Sequence, residues 1–81
     1  MSNDRFPRDA PLSQVLRALE AFGFTVVRMG NHVALVRTHA DGTRTPMTLP
    51  NHRTLKASTL RTILNQAGIS RDDFLRVYHD L

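Results

Sequence analysis

The sequence predicts a small α+β domain in the order helix, three-stranded antiparallel meander, helix, with a short C-terminal helix. Apolar residues recur at helical spacing over residues 12–22, and they do so again over residues 60–67. Between these stretches, two β-rich segments flank a Gly-Asn pair. Two helices over one face of a small antiparallel sheet bury these apolar faces with few elements.

The first helix is expected to begin near Asp9, whose side chain can cap it, with Pro11 in the first turn. Gly23 then provides a stop signal, because glycine readily adopts the left-handed conformation that ends many helices. The predicted apolar face of this helix consists of Leu12, Val15, Leu16, Leu19 and Phe22.

The alternating segments 24–29 and 32–38 form the predicted hairpin, with Gly30-Asn31 between them. Glycine at the first turn position and asparagine at the second fit a two-residue type II′ turn. Such a turn places Met29 opposite His32.

The same register also pairs Val26 with Leu35, and it assigns a core face and an exposed face. The predicted core face carries Phe24, Val26, Val33 and Leu35. His32 then lies on the opposite, exposed face near the hairpin tip. Because that second face also holds the apolar Val27, Ala34 and Val36, the reverse assignment stays open.

A second turn at residues 40–42 leads into a third strand over residues 43–49. Its Pro46 lacks a backbone donor, which predicts a strand at the sheet edge. Residues 50–57 are expected to form a loop before the second helix.

Ser58 is the expected cap of the second helix, and Gly68 its stop. Ser70 followed by Asp73 resembles a capping box that opens the short last helix. The complete order of elements is the layout of double-stranded-RNA-binding domains, so the expected fold class is a small α-β-β-β-α double-stranded-RNA-binding-like domain.

Length and composition favour one domain over residues 9–81, preceded by a flexible N-terminal arm over residues 1–8. The chain has no cysteine, which excludes disulfides, thiolate zinc sites and a cysteine nucleophile. No apolar run approaches the roughly 18 residues of a membrane span. Residues 1–8 carry charges and a proline in place of an apolar signal core, so the expected location is the cytoplasm.

The basic residues indicate a polyanionic partner. Ten of the eleven are arginines, and Lys56 is the remaining one. Arginine binds phosphate with two donors and stacks on bases, although GC-rich coding also enriches arginine. A net charge of +4 favours RNA as the partner, and an acidic protein would be attracted by the same positive charge.

Three segments resemble the HicA family of toxins. Residues 15–24 (VLRALEAFGF) resemble the family's first helix running into Gly-Phe, and residues 27–32 (VRMGNH) resemble its hairpin. Residues 55–70 (LKASTLRTILNQAGIS) are similar to the family's most specific string. Together the segments extend over about residues 12–75.

The resemblance implies a ribosome-independent toxin that cleaves mRNA with one histidine, His32, and a HicB-like antitoxin as its protein partner. Two departures from the family pattern stand out. Asn31 replaces the usual serine before the histidine, and Ser58 replaces a glycine near the second helix. Neither removes His32.

The chemistry of RNA cleavage suits a histidine in this position. The 2′-hydroxyl of RNA is a built-in nucleophile, so the protein needs a proton acceptor or donor near neutral pH and positive charge at the phosphate. Gly30 leaves room for a backbone to approach. The chain's four histidines lack metal-ligand spacing, so we expect neither a metal nor another cofactor.

Further polar and basic residues are candidates for RNA binding, and each of them can equally be a solvated surface residue. His52 can bind phosphate or serve as a second acid, and Lys56 lies in the segment most similar to the family. The complete set of expected RNA-binding residues is Arg28, Asn31, Arg37, His52, Arg53, Lys56 and Arg61.

Two other functions remain open from the sequence. One is an RNA-binding module without catalysis, which would read the shape and 2′-hydroxyls of RNA. The other is a protein-binding module whose basic face docks an acidic partner.

Overall fold

The computed structural model describes residues 6–81 and has the α+β class that the sequence predicts. A three-stranded antiparallel sheet and a two-stranded one are combined with helices. The elements are β1 (Asp9–Pro11), α1 (Leu12–Ala21), β2 (Phe24–Met29), β3 (His32–Thr38), β4 (Arg44–Pro50), β5 (Thr54–Lys56), α2 (Ala57–Ala67) and α3 (Arg71–His79). Residues 1–5 of the expected N-terminal arm lie outside the described residues, and Phe6 packs against the core.

One hydrophobic core lies between the helices and the inner face of the three-stranded sheet. Helix α1 contacts β2 and α3, and α2 contacts β4. On the hairpin, Phe24, Val33 and Leu35 are buried and Val26 packs against them, which confirms the predicted core face. No helix covers the outer face in the described part of the chain, where β3 presents His32, Ala34 and Val36.

The start of the chain differs from the sequence prediction. Asp9 does not cap α1, because residues 9–11 form β1 and pair antiparallel with β5. Helix α1 begins at Leu12, its N-cap residue is Pro11, and no side chain bonds its first turn. Pairing between segments more than 40 residues apart overrode the local capping signal.

The same pairing corrects the expected loop over residues 50–57. Pro50 ends β4, residues 54–56 form β5, and α2 begins at Ala57 with Lys56 as its N-cap residue. Ser58 is therefore inside the first turn rather than at the cap, and its carbonyl accepts a bond from the Thr62 hydroxyl at 3.2 Å.

The other helix signals are confirmed. Gly23 (φ +94°) follows α1 and Gly68 (φ +69°) ends α2, both in left-handed backbone. The Ser70 hydroxyl accepts from the Asp73 N–H at 3.1 Å, as a capping residue does. In α3, burial raises the pKa of Tyr78 above its ordinary value.

The hairpin turn is a correction to the predicted two-residue turn. Met29 pairs with Val33 rather than with His32, and Gly30 does not adopt the positive φ that a type II′ turn requires. Residues 30–32 therefore separate the last paired residues of β2 and β3. A register shift at Val27 compensates for the extra residue, so that Val26 still pairs with Leu35 as predicted.

The turn between β3 and β4 is where the sequence predicts it. The Asp41 carboxylate accepts bonds from the Thr43 hydroxyl at 2.6 Å and the Thr43 N–H at 2.9 Å. These bonds hold the pKa of Asp41 below its ordinary value, the hydroxyl bond contributing most. Strand β4 lies at the sheet edge, which confirms the interpretation of Pro46.

Candidate active site

The hairpin tip exposes the residue that the sequence singles out. His32 is the first residue of β3 and is exposed, whereas its neighbour Val33 is fully buried. Because successive side chains of a strand point to opposite faces, His32 lies on the outer face of the sheet. It pairs with Pro50, the last residue of β4.

His32 lines a shallow cavity of about 310 Å³ at this tip. Arg28, Gly30, Asn31 and Ala34 form the rest of its lining. Arg28 pairs with Ala34 across the hairpin, so its side chain shares the outer face with His32. The cavity therefore combines an imidazole, a guanidinium and an amide on an open surface, a set that can hold a phosphate and move a proton.

Asn51 holds the tip in place, and the sequence interpretation missed it as a site residue. Its side-chain Nδ2 donates to the Gly30 carbonyl at 2.8 Å, and its backbone N–H donates to the Asn31 carbonyl at 3.4 Å. The only signal in the sequence is a polar residue directly after a strand, which is too common to assign a role.

A second cavity, of about 250 Å³, contains two of the expected RNA-binding residues, His52 and Lys56. Pro50 also lines it, and Pro50 pairs with His32 of the tip cavity across β3 and β4. Lys56 is the N-cap residue of α2, whose first turn contains no acidic residue. Asp9 stands opposite Lys56 in the β1–β5 pair and lines the same cavity, so its carboxylate partly offsets the positive charge.

The remaining expected RNA-binding residues are dispersed. Arg37 lies five residues from His32 along β3, about 16 Å away at the usual rise of a strand. Its guanidinium carbon lies 6.0 Å from the centre of the Phe24 ring. Arg61 lines a third cavity of about 370 Å³ with Phe6 and residues of α2 and α3.

Arg53 is exposed between β4 and β5, and its backbone carbonyl accepts the Leu12 N–H at 2.9 Å. The structure thus brings Arg28, Asn31 and His32 together, places His52 and Lys56 in a neighbouring cavity, and leaves Arg37 and Arg61 elsewhere. Over residues 6–81, no group of three or more His, Cys, Asp or Glu is arranged to hold a metal ion.

Sequence comparison assigns the family. The model of the family described as the HicA toxin of bacterial toxin–antitoxin systems matches residues 12–69. This chain belongs to the HicA toxin family. The matched region contains the whole hairpin with His32, the second cavity's His52 and Lys56, and helix α2, whereas α3 lies beyond it.

Membership in the HicA family agrees with the α+β fold and with the resemblance seen in the sequence. No curated protein and no solved structure matches the chain significantly. Within residues 6–81, none of the helices combines the length and the apolar character needed to cross a membrane.

Proposed function

We propose that this HicA family member is a metal-independent endoribonuclease that cleaves mRNA without the ribosome, with His32 as its catalytic residue. The observation that carries the proposal is the exposed His32 beside Arg28 in a cavity at the hairpin tip. An open site suits a polymeric substrate, because a long RNA strand can pass over it without entering an enclosed pocket.

The proposed reaction uses the nucleophile that RNA provides. The 2′-hydroxyl oxygen attacks the adjacent phosphorus, the bond from phosphorus to the 5′-oxygen breaks, and the products carry a 2′,3′-cyclic phosphate and a 5′-hydroxyl. One proton leaves the 2′-hydroxyl and one is delivered to the departing 5′-oxygen. His32 carries out one of these transfers, since imidazole exchanges protons near neutral pH.

Positive charge stabilises the phosphate as its charge increases in the transition state. Arg28 provides this charge in the tip cavity, where its guanidinium can bond two phosphate oxygens at once. Asn31 provides a side-chain amide that can form hydrogen bonds with the same RNA strand. His52 and Lys56 then bind the neighbouring part of the RNA backbone in the second cavity, and Arg53, Arg37 and Arg61 contribute to the wider basic field.

The proposed protein partner is a HicB-like antitoxin that covers the outer face of the sheet. Support comes from the family, which belongs to toxin–antitoxin systems, and from the exposure of Arg28 and His32 on a face without a helix over it in the described residues. An antitoxin docked there would block RNA from His32. The substrate, mRNA, makes the cytoplasm the proposed site of action.

The test is RNA cleavage by the purified protein in the presence of EDTA, with His32→Ala as the variant. We expect the wild-type chain to cut single-stranded RNA and the variant to lose roughly 10²- to 10⁴-fold in rate, the usual contribution of a positioned general acid or base. Because His32 is exposed, its removal should change the free energy of unfolding by no more than about 0.5 kcal/mol.

The matched control is His79→Ala, which removes an exposed histidine from α3 and should leave cleavage unchanged. Equal cutting by wild type and His32→Ala would refute the assignment of His32. Loss of all cutting on addition of EDTA would refute metal independence.

A non-catalytic RNA-binding module is the alternative. It is favoured by the lining of the tip cavity, in which His32 is accompanied by Arg28, Gly30, Asn31 and Ala34 and by no second acid or base. This alternative predicts salt-dependent RNA binding with the RNA recovered intact.

A further inference from the structure

The segment after β4 is bonded to the tip of the β2–β3 hairpin through one residue. Asn51 Nδ2 donates to the Gly30 carbonyl at 2.8 Å, across 21 positions of sequence. The Asn51 backbone N–H reaches the Asn31 carbonyl at 3.4 Å. Two successive carbonyls of the turn are therefore bonded to the same residue.

These bonds act on a turn that packing does not hold. Met29 is 59% exposed and Gly30, Asn31 and His32 are all exposed, so the tip projects beyond the core. A Cβ on Gly30 would meet no atom within 4 Å. In the absence of packing, hydrogen bonds are what restrict the turn.

The hydrogen bonds converge on Gly30. Its N–H donates to the His32 carbonyl at 3.0 Å, while its carbonyl accepts from Asn51. Gly30 is thus held at both of its backbone polar groups, with one bond leading to His32 and the other to Asn51, the residue after β4. Removing the Asn51 amide would free one end of this chain of bonds.

We propose that Asn51 is a positioning residue for RNA cleavage, which fixes the direction of His32 by bonding the carbonyls of the turn before it. The inference rests on the proposed function, because it concerns the efficiency of a reaction at His32. Asn51 acts through the turn, because its side-chain amide donates to the Gly30 carbonyl.

The first experiment compares steady-state RNA cleavage by wild type and Asn51→Ala. We expect kcat to fall roughly 10- to 100-fold with little change in KM, because small misplacements of a catalytic group have costs of this order. Thermal unfolding should be nearly unchanged, since the lost bond is at the surface. Asn65→Ala, which removes an exposed asparagine on α2, is the matched control and should cleave like wild type.

A second experiment separates positioning from RNA contact. In the inactive His32→Ala background, RNA affinity is measured with and without Asn51→Ala, and it should be the same. Hydrogen exchange of the Gly30 amide, measured without RNA, should be faster in Asn51→Ala than in wild type, because its bond to the His32 carbonyl is less well held.

The outcomes separate this inference from the proposed function. If wild type cleaves and His32→Ala does not, but Asn51→Ala cleaves at the wild-type kcat, the positioning role is wrong and the proposed function stands. A loss of RNA affinity in the inactive background would make Asn51 an RNA contact and would also overturn it. If wild type itself does not cleave RNA, both proposals fail, whatever the exchange of the Gly30 amide.

Discussion

The two ends of the β2–β3 hairpin have similar residues in different environments. At the tip, Arg28 is exposed and lines a cavity with His32, and the turn is held by hydrogen bonds from Asn51. At the opposite end, Arg37 is half-buried over the Phe24 ring beside the end of α1. An arginine that flanks a hairpin can therefore line an exposed cavity or belong to the packing of the fold.

The two ends of the hairpin also differ in the role of their glycines. Gly23, beside Arg37, has a φ of +94°, which follows from the helix end that it forms. Gly30, at the tip, has no positive φ and faces open space. One end of the hairpin uses glycine for its backbone conformation, and the other leaves the space beside the backbone open.

The largest expected difference between the two ends is in cleavage by the arginine variants. Arg28→Ala should lower the rate of RNA cleavage roughly 100-fold, as expected for loss of a group that stabilises charge in the transition state. Arg37→Ala should have a much smaller effect on cleavage and lower the free energy of unfolding by about 0.5–1 kcal/mol, through loss of its contact with Phe24.

Cleavage rates and urea unfolding of both arginine variants provide the measurement, with Arg17→Ala on α1 as a control of equal charge change. If Arg37→Ala slows cleavage as much as Arg28→Ala does, the two ends do not differ in function, and the basic surface acts as a whole.

Substitution of the two glycines by alanine should reveal a difference in stability that is intermediate in size among these predictions. Gly23→Ala should destabilise the protein by about 1–2 kcal/mol, because a residue with a Cβ is strained in left-handed backbone. The added Cβ itself fits, since its nearest neighbours are Arg37 side-chain atoms at 3.7 Å.

Gly30→Ala is the matched variant at the tip. It should leave the free energy of unfolding within about 0.5 kcal/mol of wild type, as surface substitutions usually do. Urea denaturation of both variants measures this difference in the free energy of unfolding. Equal destabilisation would show that the tip glycine is also required for its backbone conformation, contrary to the φ angles.

The smallest expected effect is a loss of folding stability at alkaline pH. It comes from Tyr78 in α3, outside the hairpin. Burial raises the pKa of Tyr78 above 10.0 in the folded state. Its contribution to stability is therefore complete below pH 10.0 and is lost as the pH rises through the raised folded-state value.

Because Tyr78 is the only tyrosine, its ionisation can be followed by absorbance, and it should occur at a higher pH in the folded than in the urea-unfolded protein. In Tyr78→Phe, the part of the alkaline destabilisation that comes from this group should disappear. Titration of Tyr78 at the same pH in the folded and unfolded chain would contradict the assignment.

Most of the local structure could be predicted from the sequence because it depends on neighbouring residues. The apolar faces of the helices, the stops at Gly23 and Gly68 and the cap at Ser70 follow from spacing and backbone preference. Pro46 indicated the edge strand for the same reason, because a missing donor is a property of the residue itself.

The candidate site was predictable in part. The alternation of β3 favoured a His32 that faces away from the core but left the reverse assignment open, and in the structure His32 is exposed. The set of expected RNA-binding residues was less well defined, because adjacency in sequence to the hairpin does not distinguish Arg28 from Arg37. Asn51 could not be found, since its partners are 20 and 21 residues away in the chain.

The sequence by itself thus determined the order of the helices and of the three-stranded meander, and it favoured the core face and the exposure of His32 that the structure shows, all from periodicity over a few residues. Only the tertiary structure decided the turn at residues 30–32, the β1–β5 pair that moved both expected caps, and the bond from Asn51 to Gly30. The β1–β5 pair and the bond from Asn51 to Gly30 join segments 20 or more residues apart, whose meeting is governed by packing of the whole chain rather than by local preference.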